Sequence, residues 1–219
     1  TSLNSYYSKS IERLLVTDYN IVNNIIRSSI SELGSRYIVI VLVNCPKYGG
    51  SGGSISVSYN GTSGYEVMVH ELGHTLPGLA DEYDYPGDPT YAQYSGAEPY
   101  EPNSTIKTLR NGIKWKNWIK PTTPIPTTYS NEIGLFEGSR YYVKGIYRPA
   151  YNCKMRALNT PFCSVCNNAI IRTMYLNNNV IDSYFPLSDT VKISTLPYNF
   201  KVNTIESSPN SLSYKWALD

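Results

Sequence analysis

The chain has 219 residues and a net charge of +2, with hydrophobic residues at 41% and charged residues at 16%. That length suits one main core with a small appendage, and that composition excludes disordered and collagen-like chains. No Lys/Arg run exceeds a pair and no apolar run approaches the ~18–20 residues of a bilayer span, so nucleic acid, anionic membrane surfaces and membrane insertion are set aside.

The start at Thr1 rather than Met reads as a mature or trimmed product, and TSLNSYYSKS has neither the basic start nor the apolar centre of a secretory signal. Many Tyr, Asn and Ser with few charges suit an extracellular surface, so a secreted or cell-surface protein is expected.

The first predicted element is an amphipathic helix over Asp18–Leu33, with Val22, Ile25, Ile26, Ile30 and Leu33 at helical spacing. Asp18 is placed to cap its start and Gly34 its end. Arg36–Asn44, RYIVIVLVN, is apolar on both faces and rich in β-branched residues, which predicts a central strand buried between layers. Helix followed by buried strand points to an α/β (α+β) architecture.

CPKYGGSGGS follows, and its glycines fit neither a P-loop nor a GxGxxG fingerprint, so it reads as a flexible turn. Ser54–Tyr59, SISVSY, alternates Ser with larger residues as a half-exposed strand would.

Tyr65–Leu76 reads as the next helix and contains His70-Glu71-Leu72-Gly73-His74, with the chain's two histidines. At about 100° per residue, His74 lies about 40° from His70, with Tyr65, Met68, Leu72 and Leu76 on the opposite side. Two imidazoles four residues apart on one helix face can converge on one metal ion. Glu71 sits about 100° round from His70, where a carboxylate can take a proton from a metal-activated water. Pro77-Gly78 then stops the helix and permits a reversal.

With no histidine left, an acid must complete the ligand set, and Asp81, Glu82 and Asp84 are the candidates. The metzincin pattern HExxHxxGxxH has its Gly three and its last ligand six residues after the second His. Gly78 and Asp81 keep that mutual spacing one residue later, which favours Asp81 over Glu82. These residues predict a zinc site of His70, His74 and Asp81.

Residues 84–130 are proline-rich, with Ile113–Ile119 (IKWKNWI) as the one short periodic run, and read as a functional surface. Phe162–Leu176 reads as a helix with Val165, Ala169, Ile170 and Met174 on one side. Beyond Asn177 come short β-like pieces, VKISTL, YNFKVNTI and LSYKWAL. Cys45, Cys153, Cys163 and Cys166 make an even number, which suits disulfides in an exported protein. A second zinc site built on Cys163-x-x-Cys166 is the alternative, and the single CxxC pair disfavours it.

HELGHTLPGLADEY resembles the HExGHxxxGLxDEY signature of the IgA peptidase family of zinc metallopeptidases. YGGSGG, EPNST, IKWKNWI, GLFEGSRYYVKGIYRP and CKMRALNTPFCSVC resemble that family's blocks, in its order, over roughly residues 35–175. The resemblance implies a metzincin-like domain over residues 1–176, with a twisted mixed sheet, an active-site helix and a Met-turn carried by CKMR, so that Met155 floors the site. Residues 177–219 are left as a small β-rich segment of the kind an Ig-like module would supply.

The implied activity is that of a secreted zinc endopeptidase with Glu71 catalytic, acting on a protein or peptide substrate and, by the family's name, on immunoglobulin A. The glycine loop and SISVSY would form a rim whose open edge an extended peptide joins. Tyr83, Tyr147 and Arg148 are candidates for holding the substrate or its oxyanion. A monomer is expected. A zinc amidase acting on cell-wall or small substrates, or a metal-binding module without catalysis, are the competing readings.

Overall fold

In the computed structural model, which describes residues 2–30, 37–178, 181–188, 190–194, 196–204 and 215, the chain divides into two compact units, Thr1–Thr173 and Met174–Asp219. The first opens with β1 (Tyr6–Tyr7) paired antiparallel to β2 (Leu15–Val16). Helix α1 (Tyr19–Ser29) follows, and its start is set by the Asp18 carboxylate, which accepts from the amides of Asn20 and Ile21 at 2.9 and 3.2 Å. It stops short of the predicted Leu33, because Ile30 is already extended. The expected Gly34 cap lies outside the described residues.

The central sheet contains β3 (Ile40–Val43), β4 (Gly50–Ser51) and β5 (Ser56–Tyr59) in the order β3-β5-β4, with β3 parallel and β4 antiparallel to β5. The roles expected of the two longer strands are exchanged. β3 is an edge strand that buries Val41 and Val43 and exposes Ile40 and Leu42, whereas all four residues of β5 are buried.

The serines explain the exchange. Ser58 Oγ donates to the carbonyl of Gly64 at 2.8 Å, and Ser56 Oγ bonds Thr75 Oγ1 at 2.7 Å. Small side chains whose polar atoms are satisfied let a helix lie close on the middle of the sheet, so alternating Ser marks a packed face here rather than a wet one. That helix is α2 (Gly64–Thr75).

The buried side of α2 is not the predicted Tyr65–Met68–Leu72–Leu76 stripe. Tyr65 is 63% exposed, and Gly64, Val67, Glu71 and Gly73 are buried, since β5 and β4 cover the Val67–Glu71 side. The glycine run is more than a flexible turn. A Cβ at Gly52 would lie 2.6 Å from His74 Cβ, so only glycine lets the strand segment pass this close to the helix. Leu15, Val22, Val41, Val43, Ile55, Val57, Tyr59 and Val67 form the core that joins α1, the sheet and α2.

The proline-rich stretch folds into 3-10 turns at Pro89–Tyr91, Arg110–Gly112 and Lys116–Trp118. It serves as scaffold as well as surface, for Ile113, Trp115 and Ile119 form a second core with Leu135 and Val165. A bulged hairpin of β6 (Phe136–Ser139) and β7 (Tyr142–Arg148) follows, and then α3 (Ser164–Asn177). In α3 the buried residues are Val165 and Cys166, while Met174 of the predicted stripe is 47% exposed.

In the second unit, β8 (Ile181–Phe185) pairs antiparallel to β9 (Lys201–Thr204). β9 falls in YNFKVNTI, no strand forms over the described part of VKISTL, and nearly all of LSYKWAL lies outside the described residues. The architecture is mixed α/β, with small sheets and three helices among the described residues.

Candidate active site

Helix α2 presents His70 and His74 toward a cleft of about 640 Å³, with their ring centroids 5.0 Å apart. The helix ends at Leu76, and Gly78, at φ +67°, makes the reversal expected of it. The backbone then runs along the site. The Leu79 amide donates to the Gly73 carbonyl, the Glu82 amide to that of Met155 at 2.7 Å, and the Arg140 amide to that of Asp81 at 2.8 Å. Asn103 locks the same segment, taking the Ala80 amide at 2.8 Å and giving its own N–H to the Ala80 carbonyl at 2.9 Å.

Asp81 is thereby aimed at both imidazoles. Its Oδ1 lies 3.0 Å from His70 Nε2 and 3.3 Å from His74 Nε2. Metal–ligand bonds of about 2.0–2.1 Å in tetrahedral geometry separate ligand atoms by about 3.3 Å, so Asp81 Oδ1 stands at ligand spacing from each imidazole; His70, Glu71 and His74 likewise offer ligand atoms within 4.8 Å of one another.

The far side of each ring is engaged as a metal site needs. His70 Nδ1 faces the Lys154 carbonyl at 2.9 Å and His74 Nδ1 the Leu79 carbonyl at 2.6 Å. A ring N–H given to a carbonyl leaves the Nε2 lone pair for the cation and fixes the ring's orientation. Tyr141 adds to this, donating its hydroxyl to Asp81 Oδ2 at 2.6 Å.

The electrostatics agree. Burial would lower the His74 pKa, but the hydrogen bond and charge of Asp81 push it up to about 9. Burial likewise works to raise Asp81, yet both imidazoles hold its carboxyl well below the usual range. Asp81 is thereby held as a carboxylate facing the two imidazoles. The Glu71 carboxyl, 9% exposed and lining the same cleft, is pushed up from its ordinary value by burial, partly offset by the imidazole charges.

Of the residues singled out in the sequence, His70, Glu71, His74, Asp81 and Tyr83 line this cleft together. Tyr147 and Arg148 do not line it. Tyr147 packs against the Ile113–Trp115–Leu135 core. Arg148 is 4% exposed and donates to the carbonyls of Glu137, Gly138 and Ala150. Its guanidinium is consumed in closing the hairpin, so it is a structural residue here.

The edge of β4 is not open either. Arg13–Leu15 occupies it, with the Gly50 amide donating to the Arg13 carbonyl at 3.1 Å and Ser51 Oγ to the Leu15 carbonyl at 2.6 Å. From that position Arg13 reaches across to donate to the hydroxyls of Tyr83, at 2.8 Å, and Tyr85. Arg13 and Tyr141 are among the cleft residues that the sequence reading does not single out, as are Tyr85, Glu101 and Arg140.

Below the cleft, Met155 is fully buried beside Gly73, in a cluster with Leu79, Ala150, Cys153 and Cys166. Lys154, whose carbonyl orients His70, is tied back to α2 by an ion pair with Glu66. The four cysteines are free thiols rather than the expected disulfides. Cys45 lies near the Tyr7 hydroxyl, away from the other three.

No helix among the described residues is long and apolar enough to cross a membrane. The model of the IgA peptidase M64 family matches residues 1–133 and 129–174 of the chain, and no curated protein matches it. The chain belongs to that family of metallopeptidases and is a peptidase.

Proposed function

We propose that this M64 peptidase is a zinc-dependent endopeptidase of metzincin type, with His70, His74 and Asp81 as ligands and Glu71 as general base. The observation that carries the reading is the convergence of two Nε2 atoms on Asp81 Oδ1 with both Nδ1 atoms engaged by carbonyls. Zinc bound there supplies Lewis acidity, polarising a carbonyl and lowering the pKa of water from 15.7 to around 7.

The chain's own residues do the rest. Glu71 takes the proton of the attacking water and passes it to the departing amine, a task suited to a carboxyl whose pKa burial has raised. Tyr141 holds Asp81 in its ligating orientation, and Tyr83 faces the substrate from the same wall. Met155 is the floor residue of the metzincin reading.

The substrate is a protein or peptide laid in the cleft, with immunoglobulin A as the specific target to test. Treating the purified chain with a zinc chelator should abolish cleavage of casein, and added zinc should restore it. Cleavage of small amides alone, with casein and immunoglobulin A untouched, would overturn the endopeptidase reading in favour of an amidase. The reading also carries a secreted or surface location and a monomeric state, to be checked by cell fractionation and light scattering.

A further inference from the structure

Three of the four cysteines, Cys153, Cys163 and Cys166, meet in the core cluster that holds Leu79 and Met155. Glu82 joins them, and one ligand atom from each of Glu82, Cys153, Cys163 and Cys166 lies within 4.8 Å of the others. We propose that this cluster, with Glu82, Cys153 and Cys166 buried and Cys163 half-buried, is a second, structural zinc site distinct from the cleft.

The spacing fits the ion. Zn–S bonds of about 2.3 Å in a tetrahedron put two sulfurs about 3.8 Å apart, and Cys153 Sγ and Cys166 Sγ are separated by 3.7 Å. Cys166 Sγ is 3.2 Å from Glu82 Oε1. The Cys163 amide points at Cys153 Sγ at 3.3 Å, a donor that stabilises a charged sulfur.

A second observation points the same way. Glu82 is fully buried, and its Oε2 has no hydrogen-bond partner, although a buried carboxylate oxygen left unpaired is costly. A cation among the three sulfurs compensates that carboxylate. Asn103 Nδ2 donates to Glu82 Oε1 at 2.9 Å and leaves Oε2 unmet; disulfide formation does not solve that problem, because any bond between two of the three sulfurs leaves the third as a lone thiol and Oε2 without a partner.

Three thiolates and one carboxylate suit zinc better than calcium or magnesium, and four protein ligands leave no position for substrate. On binding, the thiol protons leave to solvent. The ion would pin the start of α3, the Cys153–Met155 turn and the Glu82 segment to one point. The Cys153–Met155 turn carries the Lys154 carbonyl that orients His70, and the Glu82 segment carries Asp81.

The site is separable from the cleft in one experiment on the full chain. Zinc content should be about two per chain in the wild type and about one in the His70→Ala/His74→Ala double variant. X-ray absorption at the zinc edge of that variant should show sulfur at about 2.3 Å. Cobalt(II) loaded into the same variant should give a thiolate charge-transfer band that Cys153→Ser/Cys166→Ser removes. If the cysteine variant does not fold, the double histidine variant still decides. A double histidine variant without zinc or cobalt bound to sulfur, or an intact mass showing a disulfide among the three cysteines, would overturn the proposal. A wild-type chain holding one zinc, bound to sulfur, would count against the peptidase reading and leave this site standing.

Discussion

Asp81 and Glu82 are consecutive, yet one faces two imidazoles in an open cleft and the other faces three sulfurs in a closed core. What differs is the surroundings. The Asp81 side lines the cleft with a buried carboxylate at Glu71 beside it, whereas Glu82 is fully buried among the sulfurs of Cys153, Cys163 and Cys166. Two similar acids thus support chemistry on one side and cohesion on the other, and the environment rather than the residue type decides which.

Glu71→Ala gives the largest expected effect. It should lower casein cleavage by about 10²–10⁴-fold while zinc content stays unchanged, since a general base contributes about that much and Glu71 is not a ligand in this arrangement. An active variant would sink the mechanism. Asp81→Asn comes next. Isothermal titration should show zinc affinity of the cleft reduced by at least ~10²-fold, more than the ~10–100-fold typical of an outer contact, with sulfur-bound zinc retained. Loss of both ions together would show that the two sides of the segment are one cooperative unit and break the contrast.

The two sides were unequally legible in the sequence. His70, Glu71, His74 and Asp81 lie within twelve residues, and helix periodicity followed by a Pro-Gly stop is enough to bring them together. The α1 start was legible for the same local reason, through the Asp18 cap.

Where contacts are long-range, local pattern misled. An apolar run predicts a central strand and an alternating Ser run a half-exposed one, and neither pattern says what packs on it. β5 is central because α2 returns onto its serines, and β3 is the edge because only Val41 and Val43 meet the core. The thiol cluster was hidden because its fourth member is a glutamate distant in sequence, so counting CxxC pairs could not find it. Tyr141 and Arg13 reach the cleft from distant segments and carry no motif at all.

Tyr141→Phe tests that hidden layer. It removes the hydroxyl that donates to Asp81 Oδ2 and leaves the ring packed against Tyr83 and Tyr85. Zinc affinity of the cleft should fall by about 10–100-fold, the usual loss when an outer partner of a ligand is removed, and the sulfur-bound ion should be unaffected. An unchanged affinity would mean that the Arg140 and Ser139 contacts to the Asp81 carbonyl hold the ligand without help.

The smallest effect is expected at Tyr147, and it separates sequence motif from position. GIYRP suggested a hydroxyl poised over substrate, but the structure turns this tyrosine toward the Ile113–Trp115–Leu135 core and binds its backbone to Thr105 at 2.8 and 3.1 Å. Removing the hydroxyl alone keeps the ring and the strand contacts, so Tyr147→Phe should leave kcat/KM for casein within about twofold of wild type, below the ~10²-fold cost of losing an oxyanion donor. A large fall in kcat with KM unchanged would put this tyrosine at the transition state, and would require the β6–β7 hairpin to move over the cleft when substrate binds.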